Sequence, residues 1–344
     1  MPKVSVVVPV LNAARTLPEC LMGLARLDPA PEEIILVDNG STDQSLPLLH
    51  AFARNHTAAG TRVLQEARRG AAAARNAGLR VTQGDVIAFT DADCAVEPAW
   101  LAYLTEPFKD ASVGAVAGRV VASSALSTVE LLSALYTLQL PEAPARHRHW
   151  TPWGGGYPTA NLAVRASVLR ALGGFDESVG IYGEDYDLCA RLYEHALEIA
   201  YVPTARVFHH HRTTLPGMLR QSFGFGRAHP YLLRRHATEG LWIDLPGRSF
   251  LCRRWPVRAW VDLASADKKV LAMLALGGAY APALLLLPMY AAWLSIAASR
   301  RAREAGAPVS ASAATGLAAL LVLKSAAMTV GRWWGSVKYG ALCL

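Results

Sequence analysis

Short apolar segments alternate with helix-forming segments along the first 120 residues. The apolar segments cover 4–10, 33–38, 62–65 and 85–90, and the helix-forming segments cover 16–26, 43–54, 70–81 and 98–108. The first apolar segment is mostly valine, which is typical of a strand buried on both faces. Thr16 and Glu19 have the spacing of a capping box at the start of the first helix. The alternation predicts an α/β fold with a doubly wound, mostly parallel sheet, in which ligands bind beyond the carboxyl ends of the strands.

The last part of the chain differs, because apolar residues there form long runs. Residues 270–298 are 29 positions without a charged side chain, more than the roughly 20 that a helix needs to cross a bilayer. Pro282 and Pro288 would kink such a helix. A second run, 313–330, contains only Lys324 as a charged residue and is either a spanning helix or a buried or interfacial one. We therefore expect three regions: an α/β domain over 1–215, basic linker and interfacial helices over 216–269, and apolar membrane-associated helices over 270–344.

Charge is divided unevenly along the chain. The net charge of +7 combines −6 over residues 1–203, which hold 16 Lys/Arg and 22 Asp/Glu, with +13 over residues 204–344, which hold 18 and 5. A basic cluster interleaved with tryptophans precedes the first apolar run and comprises Trp242, Arg248, Arg253, Arg254, Trp255, Arg258, Trp260, Lys268 and Lys269. Such a cluster beside an apolar segment is typical of attachment to an anionic cytoplasmic leaflet. We expect membrane lipids as the partner and not nucleic acid, because no nucleic-acid-binding motif accompanies the cluster.

The N-terminus and the cysteines favour the cytosol for the first domain. The apolar residues 4–10 are too few for a secretory signal and are not followed by a cleavage pattern. The five cysteines form no CxxC or zinc-site spacing, which suits a reducing compartment. We expect a protein of the cytoplasmic (inner) membrane. Because Arg300, Arg301 and Arg303 follow the first apolar run, a shallow hairpin with both flanks in the cytosol is an alternative to a span.

Acidic residues end two of the predicted strands. Asp38 ends the second strand, and Asp91 and Asp93 follow a later one, so all three are expected at the same edge of the sheet. One or two carboxylates together with substrate phosphates are the usual ligands of Mg²⁺ or Mn²⁺. The segment after the first strand has no GxGxxG turn, and the chain contains no P-loop and no GxSxG. These absences count against a dinucleotide-binding protein, a P-loop NTPase and an α/β-hydrolase.

Two glycine-containing segments have both a structural and a functional interpretation. In the alanine-rich segment 70–78, Arg75 and Asn76 could reach a phosphate or a ribose, or could lie on a solvated helix face. Residues 154–157 form a glycine-rich loop that either closes over a ligand or is a simple connection.

An acidic helix start and a triple histidine are the remaining candidates. Asp185 lies at the start of a predicted helix, where it is either a cap or a carboxylate base beside a nucleotide site. His209, His210 and His211 end a predicted strand, and His209 and His211 share one face if the strand stays extended. Neutral imidazole is a good ligand for Mn²⁺-type ions, although three adjacent histidines more often lie on the protein surface without binding a metal.

Six motifs occur in an order that resembles the family 2 glycosyltransferases. They are VSVVVPVLNA (4–13), ILVDNGSTD (35–43), GAAAARNAGL (70–79), AFTDADC (88–94), ALGGFDES (171–178) and GEDYDLCARL (183–192). The resemblance covers residues 1–215 and implies a GT-A fold, a UDP- or GDP-linked sugar donor and inversion at the anomeric carbon. It also implies that Asp38 contacts the base, that Pro9 and Asn12 line the same pocket, and that Arg69 and Arg75 lie near the donor.

The resemblance assigns the reaction centre as well. Asp91 and Asp93 would form a D-x-D motif that holds the ribose and Mn²⁺ or Mg²⁺. Asp185 would be the general base that takes the proton of the acceptor hydroxyl. His209 would complete the metal site, with His211 as the second choice.

The sequence thus predicts a metal-dependent, inverting glycosyltransferase at a membrane, acting on a lipid-linked, saccharide or other membrane-proximal acceptor. The QxxRW motif of processive synthases is absent, which argues against a polymerising enzyme. A nucleotidyltransferase on a similar sheet is one alternative, but residues 9–14 do not supply its glycine-rich phosphate loop. A non-catalytic nucleotide-sugar-binding membrane protein is the other, and the presence of Asp91, Asp93 and Asp185 disfavours it.

Overall fold

The computed structural model describes residues 2–56, 59–123, 127–152, 154–180 and 182–344. The chain forms two compact units. The first contains Met1–Ser123 and Leu140–His210, and the second contains Ser124–Gln139 and His211–Leu344. The first unit therefore ends close to the predicted boundary at 215, but residues 124–139 belong to the second unit. The second unit combines the two regions that the sequence predicted as separate, 216–269 and 270–344.

Strands and helices alternate through the first unit and mix in the second. The strands are β1 Val4–Val10, β2 Glu33–Asp38, β3 Arg62–Gln65, β4 Val86–Thr90, β5 Cys94–Val96, β6 Val113–Ala122, β7 Ala145–His147, β8 Asn161–Arg165, β9 Glu198–His209, β10 Gly240–Leu245, β11 Arg248–Cys252, β12 Arg258–Asp262 and β13 Leu342–Cys343. The helices are α1 Leu17–Ala25, α2 Ser45–Asn55, α3 Ala71–Leu79, α4 Trp100–Thr105, α5 Thr128–Tyr136, α6 Ala166–Ala171, α7 Glu184–Glu194, α8 Leu215–His236, α9 Ala266–Ala279, α10 Leu286–Glu304 and α11 Ala311–Tyr339, with short 3₁₀ turns at Glu106–Lys109, Glu177–Val179 and Ala281–Leu285.

The first unit is built on a nine-stranded sheet with the order β3-β2-β1-β4-β8-β6-β9-β5, and β7 also pairs with β9. The first four strands are mutually parallel, and β6 and β9 are parallel to each other. Strand β8 is antiparallel to both β4 and β6 and joins the two parallel groups. The predicted α/β fold with a parallel-rich sheet is confirmed, and the carboxyl ends of β1, β2 and β4 lie at one edge.

Close packing of α3 on the sheet fixes the position of its polar side chains. Its alanines Ala72, Ala73 and Ala74 are buried. A Cβ added at Gly78 would lie 2.5 Å from a methyl carbon of Val7, so only glycine allows the helix to approach β1 this closely. The small residues of this segment therefore allow the helix to pack closely on β1, with Arg75 buried on it.

The predicted capping box at Thr16 and Glu19 is wrong. Thr16 is the N-cap of α1, but its side chain makes no capping hydrogen bond. The Thr16 hydroxyl instead donates to the carbonyl oxygens of Ala13 and Ala92. The Glu19 carboxylate lies 2.6 Å from Nε2 of His210. Both side chains therefore bond to residues that are distant in sequence, Ala92 and His210, in place of the helix N-terminus.

The second unit contains a sheet that the sequence analysis did not foresee. The prediction of helices over 216–269 holds for α8 only, because β10, β11 and β12 follow it and pair in the order β11-β10-β12-β13. Leu245 pairs with Arg248, so Pro246 and Gly247 form a two-residue turn. Gly247 has a φ of +76°, a conformation that glycine adopts without strain.

The apolar run 270–298 is not one helix. It begins in α9, which ends at Ala279, continues through the 3₁₀ turn that contains Pro282, and resumes in α10. The predicted interruption is confirmed at Pro282, whereas Pro288 lies in the first turn of α10 and does not end that helix. Two helical segments, Ala281–Glu304 and Ala311–Tyr339, are long and apolar enough to cross a membrane by length and composition.

Candidate active site

The polar residues that end β1, β2 and β4 lie at one edge of the first unit. Val10 at the end of β1 is in register with Asp38 at the end of β2, and Asn12 follows two residues later. Strand β4 ends at Thr90, directly before Asp91. Parallel pairing therefore brings together the residues that the sequence placed at strand ends.

Asp38 and Asn12 tie two loops of this edge together. The Asp38 side chain is buried and accepts hydrogen bonds from the backbone N–H groups of Gly40, at 3.2 Å, and Ser41, at 3.3 Å. Oδ1 of Asn12 accepts from the N–H of Thr42 at 2.8 Å. Pro9 lies at the same end of β1 and is partly buried. These contacts shape the loop after β2, which is the predicted nucleoside pocket.

Asn39 holds a third loop at the same edge, a role that the sequence analysis missed. Its Nδ2 donates to the carbonyl oxygens of Glu66, at 2.8 Å, and Arg68, at 2.7 Å, and its Oδ1 accepts from the N–H of Gly70 at 2.8 Å. Arg69 follows on this loop and is exposed. A Cβ on Gly40 would lie 3.8 Å from the guanidinium of Arg69, so the two loops meet at the rim.

Arg75 joins two acidic groups from different parts of the chain. Its Nη2 is 2.7 Å from Oδ1 of Asp91, and its Nη1 is 2.7 Å from Oε1 of Glu184. Arg75 is only 3% exposed. Burial alone would lower the pKa of Arg75, but the negative charges of Asp91 and Glu184 outweigh burial and raise the pKa above its ordinary value. The guanidinium therefore stays charged. Of the two sequence interpretations of Arg75, the solvated helix face is therefore wrong.

Asp185 lies next to this ion-pair cluster, in the first turn of α7. Its Oδ1 accepts from the N–H of Tyr186 at 2.9 Å, and part of its surface remains accessible. Burial and the neighbouring charge of Glu184 raise the pKa of Asp185 to about 7, although Arg75 opposes the shift. Burial also raises the pKa of Glu184. A carboxyl group with a pKa near 7 is suited to accept a proton at neutral pH.

Asp93 and His209 form a second polar group at the end of the site. Nε2 of His209 is 3.7 Å from Oδ1 of Asp93, and the possible ligand atoms of Asp93, Cys94 and His209 all lie within 4.8 Å of one another. Burial raises the pKa of the Cys94 thiol well above its ordinary value. The thiol therefore stays protonated, whereas carboxylate and imidazole are groups that Mn²⁺ accepts.

The three adjacent histidines have different surroundings. Strand β9 ends at His209, which pairs with Cys94 of β5. The His210 backbone N–H donates to the carbonyl oxygen of Asp93 at 2.8 Å, while its side chain reaches Glu19. His211 belongs to the second unit. Within the first unit, His209 is thus the histidine whose side chain lies beside the Asp93 carboxylate.

The glycine-rich loop 154–157 packs against α7. A Cβ on Gly156 would lie 2.1 Å from the ring of Tyr186, the neighbour of Asp185. The Tyr193 hydroxyl donates to the carbonyl oxygen of Gly155 at 2.7 Å. The loop therefore contacts the helix that carries Asp185.

Comparison with known proteins shows the family to which the chain belongs. Residues 5–173 match glycosyl transferase family 2. The chain is 35% identical, over 238 residues, to the pre-mycofactocin glycosyltransferase of Mycobacterium tuberculosis, an overlap of 67% of this chain and 48% of that protein. The chain belongs to glycosyltransferase family 2. This family 2 chain is also 26% identical over 252 residues to the probable glycosyltransferase YdaM of Bacillus subtilis, covering 70% of the chain and 58% of YdaM. It spans about half the length of these curated relatives.

A solved glycosyltransferase shares the fold of this family 2 chain. The mannosyltransferase PcManGT from Pyrobaculum calidifontis, solved with GDP-Man and Mn²⁺, aligns with a TM-score of 0.57 and 22% sequence identity. The alignment covers 97% of this chain and 87% of PcManGT. The GT-A fold that the sequence motifs implied is therefore confirmed.

Proposed function

We propose that this family 2 chain transfers a sugar, with inversion, from a UDP- or GDP-linked donor to a hydroxyl group of a lipid-linked or other membrane-proximal acceptor. The observation that carries the proposal is the cluster around Arg75, which holds Asp91 beside the Glu184–Asp185 pair. Arg75 contacts Asp91, the proposed D-x-D carboxylate, and Glu184, the neighbour in sequence of the proposed base Asp185.

Asp185 is the proposed general base. Because burial and Glu184 raise its pKa to about 7, about half of Asp185 is ionised at neutral pH, and that carboxylate is a stronger base than an ordinary aspartate for the proton of an attacking hydroxyl. A single displacement of this kind inverts the anomeric carbon and needs no nucleophile from the protein. Arg75 keeps the helix that carries Asp185 in a fixed position relative to Asp91.

The donor pocket is proposed at the loops that Asn12, Asp38 and Asn39 hold together. The loop after β2, whose Gly40 and Ser41 N–H groups donate to Asp38, and Pro9 at the end of β1 are its proposed lining. Arg69, exposed at the rim, is the proposed contact for the phosphates. Support for a nucleotide-sugar donor comes from PcManGT, which was solved with GDP-Man, and from the family match.

Asp93, His209 and Asp91 are the residues that would hold Mn²⁺ or Mg²⁺. The oxygen and imidazole donors fit these ions, and Asp93 and His209 already lie 3.7 Å apart. When bound, the cation would neutralise charge on the leaving diphosphate.

Membrane attachment is proposed for the second unit. Its two long apolar helices and its excess of basic residues support contact with the cytoplasmic face of the inner membrane. The first unit would then remain in the cytosol, where nucleotide sugars are made.

A panel of UDP- and GDP-sugars, assayed by release of the nucleoside diphosphate, tests the proposal. We expect turnover with a subset of donors, loss of turnover with EDTA, and recovery with Mn²⁺ or Mg²⁺. Turnover that is indifferent to EDTA would remove the metal role from Asp93 and His209. Calorimetric binding of a nucleotide sugar without diphosphate release, whatever acceptor is added, would instead identify a non-catalytic binding protein.

A further inference from the structure

Two buried basic side chains of α11 bind polar groups of other elements of the second unit. The Lys324 ammonium donates to the carbonyl oxygen of Tyr136 at 2.7 Å and lies 2.8 Å from Oγ1 of Thr137, at the end of α5. Nη1 of Arg332 is 2.7 Å from the carboxylate of Asp262, at the end of β12. Lys324 and Arg332 are both buried. The two contacts are eight residues apart, which is about 12 Å along a helix.

This spacing is too short for a bilayer between α5 and the sheet. The hydrocarbon core is about 30 Å thick, and a sheet with open edges cannot enter it, because unpaired backbone groups would face lipid. Residues 124–139 connect two segments of the first unit and are too few to cross a bilayer twice, so the chain before and after α5 lies on one side of a membrane. The sheet that binds Arg332 must therefore be on that side as well.

Helix α8 already occupies the small-residue face of α11. Gly331 and Gly335 form a GxxxG pair, the pattern by which membrane helices associate. A Cβ on Gly331 would lie 2.1 Å from the carbonyl oxygen of Phe223, and one on Gly335 would lie 2.6 Å from that of Arg227. Helix α8 also carries Arg220, Arg227, Arg234 and Arg235, so it does not cross a membrane beside α11.

The region from α9 to α10 is different, because it is apolar and exposed on nearly all sides. The chain reverses direction at the turn Ala281–Leu285, where the Leu284 side chain lies against Gly277. At this turn Tyr280 is 68% exposed, Leu285 67% and Met289 66%. Charged residues stand at both ends of the region, with Asp267, Lys268 and Lys269 at the start of α9 and Arg300, Arg301 and Arg303 at the end of α10.

The dimensions of this hairpin fit one leaflet. The first arm, 270–279, extends about 15 Å, and the exposed part of the second, 286–293, extends about 12 Å. From the buried Leu294 onward, α10 packs on other helices of the second unit through Ala298 and Ala302. Each exposed arm is therefore no longer than half of the roughly 30 Å hydrocarbon core. The exposed arginines Arg300 and Arg303 stand where anionic headgroups would meet them, and Trp293 and Tyr280 supply aromatic surface.

We propose that α9 and α10 form a re-entrant hairpin that enters one leaflet of an anionic phospholipid bilayer and returns to the same side, while α11 does not cross the membrane. The inference rests on the membrane attachment proposed above and is independent of which sugar is transferred. The two segments long enough to span a membrane, Ala281–Glu304 and Ala311–Tyr339, would then have all of their ends on the same side of the bilayer.

Cysteine labelling of the full chain tests the topology. With Cys252 replaced by Ser, single reporters Ala111→Cys, Pro256→Cys and Ala305→Cys report on the first unit, the sheet and the α10–α11 connection, and all three positions are exposed. In inverted and right-side-out inner-membrane vesicles of a bacterial host, an impermeant maleimide should label all three in inverted vesicles only. Labelling of Ala305→Cys in right-side-out vesicles alone would establish a spanning hairpin of α10 and α11 and overturn the proposal.

A pair of matched substitutions tests the leaflet contact. Met289→Glu should lower flotation of the purified chain with vesicles of 70% phosphatidylethanolamine and 30% phosphatidylglycerol by about tenfold or more, because a charge replaces an apolar side chain in lipid. Met22→Glu, at an exposed methionine of α1, should leave flotation unchanged. Unchanged flotation of Met289→Glu, or dissociation of a homodimer by it in detergent, would overturn the proposal. Diphosphate release measured on the same samples reports on glycosyl transfer separately, so the two proposals can fail independently.

Discussion

Both units bury charged side chains, but they satisfy them to different degrees. In the first unit, Nε of Arg75 and Oε2 of Glu184 are buried without a hydrogen-bond partner among the described residues. In the second unit, Arg332 uses all three of its nitrogens, on His229, Asp262 and Met328. Removing a charge from water is costly unless the group is fully bonded. Arg332 thus connects a helix to a strand with every nitrogen bonded, whereas the ion-pair cluster around Arg75 keeps two buried atoms without a partner among the described residues.

The largest expected effect concerns Asp185. Asp185→Asn should lower kcat by about 10²–10⁴-fold, the usual contribution of a general base, with KM for the donor unchanged. Steady-state release of nucleoside diphosphate measures both constants. Asp187→Asn is the control on the same helix, because the Asp187 carboxylate is bonded to Nε of Arg191 at 2.8 Å. It should lower the melting temperature but preserve kcat of the folded enzyme, and retained activity of Asp185→Asn would exclude this residue as the base.

A comparable change in the second unit should affect stability and not catalysis. Arg332→Leu leaves Asp262 as a buried, uncompensated charge and should reduce the free energy of unfolding by about 3–5 kcal/mol. Denaturant titration in detergent measures the loss. Arg254→Leu, at an exposed arginine, should change stability by no more than about 0.5 kcal/mol. If Arg332→Leu instead abolished turnover in fully folded protein, the distinction between the two units would be lost.

The pH dependence of turnover provides a third test. Because the pKa of Asp185 is raised to about 7, the fraction in the base form grows as pH rises through 7. For a single group this predicts an increase in kcat of about tenfold between pH 6 and pH 8. A profile that is flat over this range would contradict the assignment.

The smallest expected effect is a displacement of that profile. Glu184→Gln removes a negative charge that raises the pKa of Asp185, so the acid limb of the kcat profile should move to lower pH. Glu177→Gln, which changes a more exposed carboxylate bonded to Arg68, should leave the limb in place. Movement to higher pH in Glu184→Gln would show that the loss of its ion pair with Arg75 dominates instead.

Elements stabilised by local pattern were predictable. The bounds of β1, β2 and β3 agree with the predicted strands, because each is a short apolar run between polar turns. Helix α3, Ala71–Leu79, was also predicted, over 70–81. The turn signal Pro246–Gly247 was present in the sequence and would have indicated the hairpin of β10 and β11, but the basic residues around it favoured interfacial helices.

Features that depend on distant partners were not predictable. Glu184 is separated from Arg75 by more than one hundred positions, and only the fold shows that they form an ion pair. The sequence placed Glu184 beside the base without assigning it a role. In the same way, Lys324 interrupted an apolar run with no visible reason, and its partner on α5 lies 188 positions away. The roles expected for Pro9, Asn12, Asp38, Arg69, Asp91, Asp93 and His209 stay predictions until the substitutions are made.

The glycine contacts between α8 and α11 have a consequence for reading related sequences. Gly226, Gly331 and Gly335 each face backbone atoms so closely that even a methyl group would collide with them. A homologue that keeps all three can retain this helix pair, whereas one that replaces them with larger residues must separate the two helices. These three positions therefore offer a marker, readable without any structure, for distinguishing homologues whose last long helix is docked on protein from those in which it is free to enter lipid.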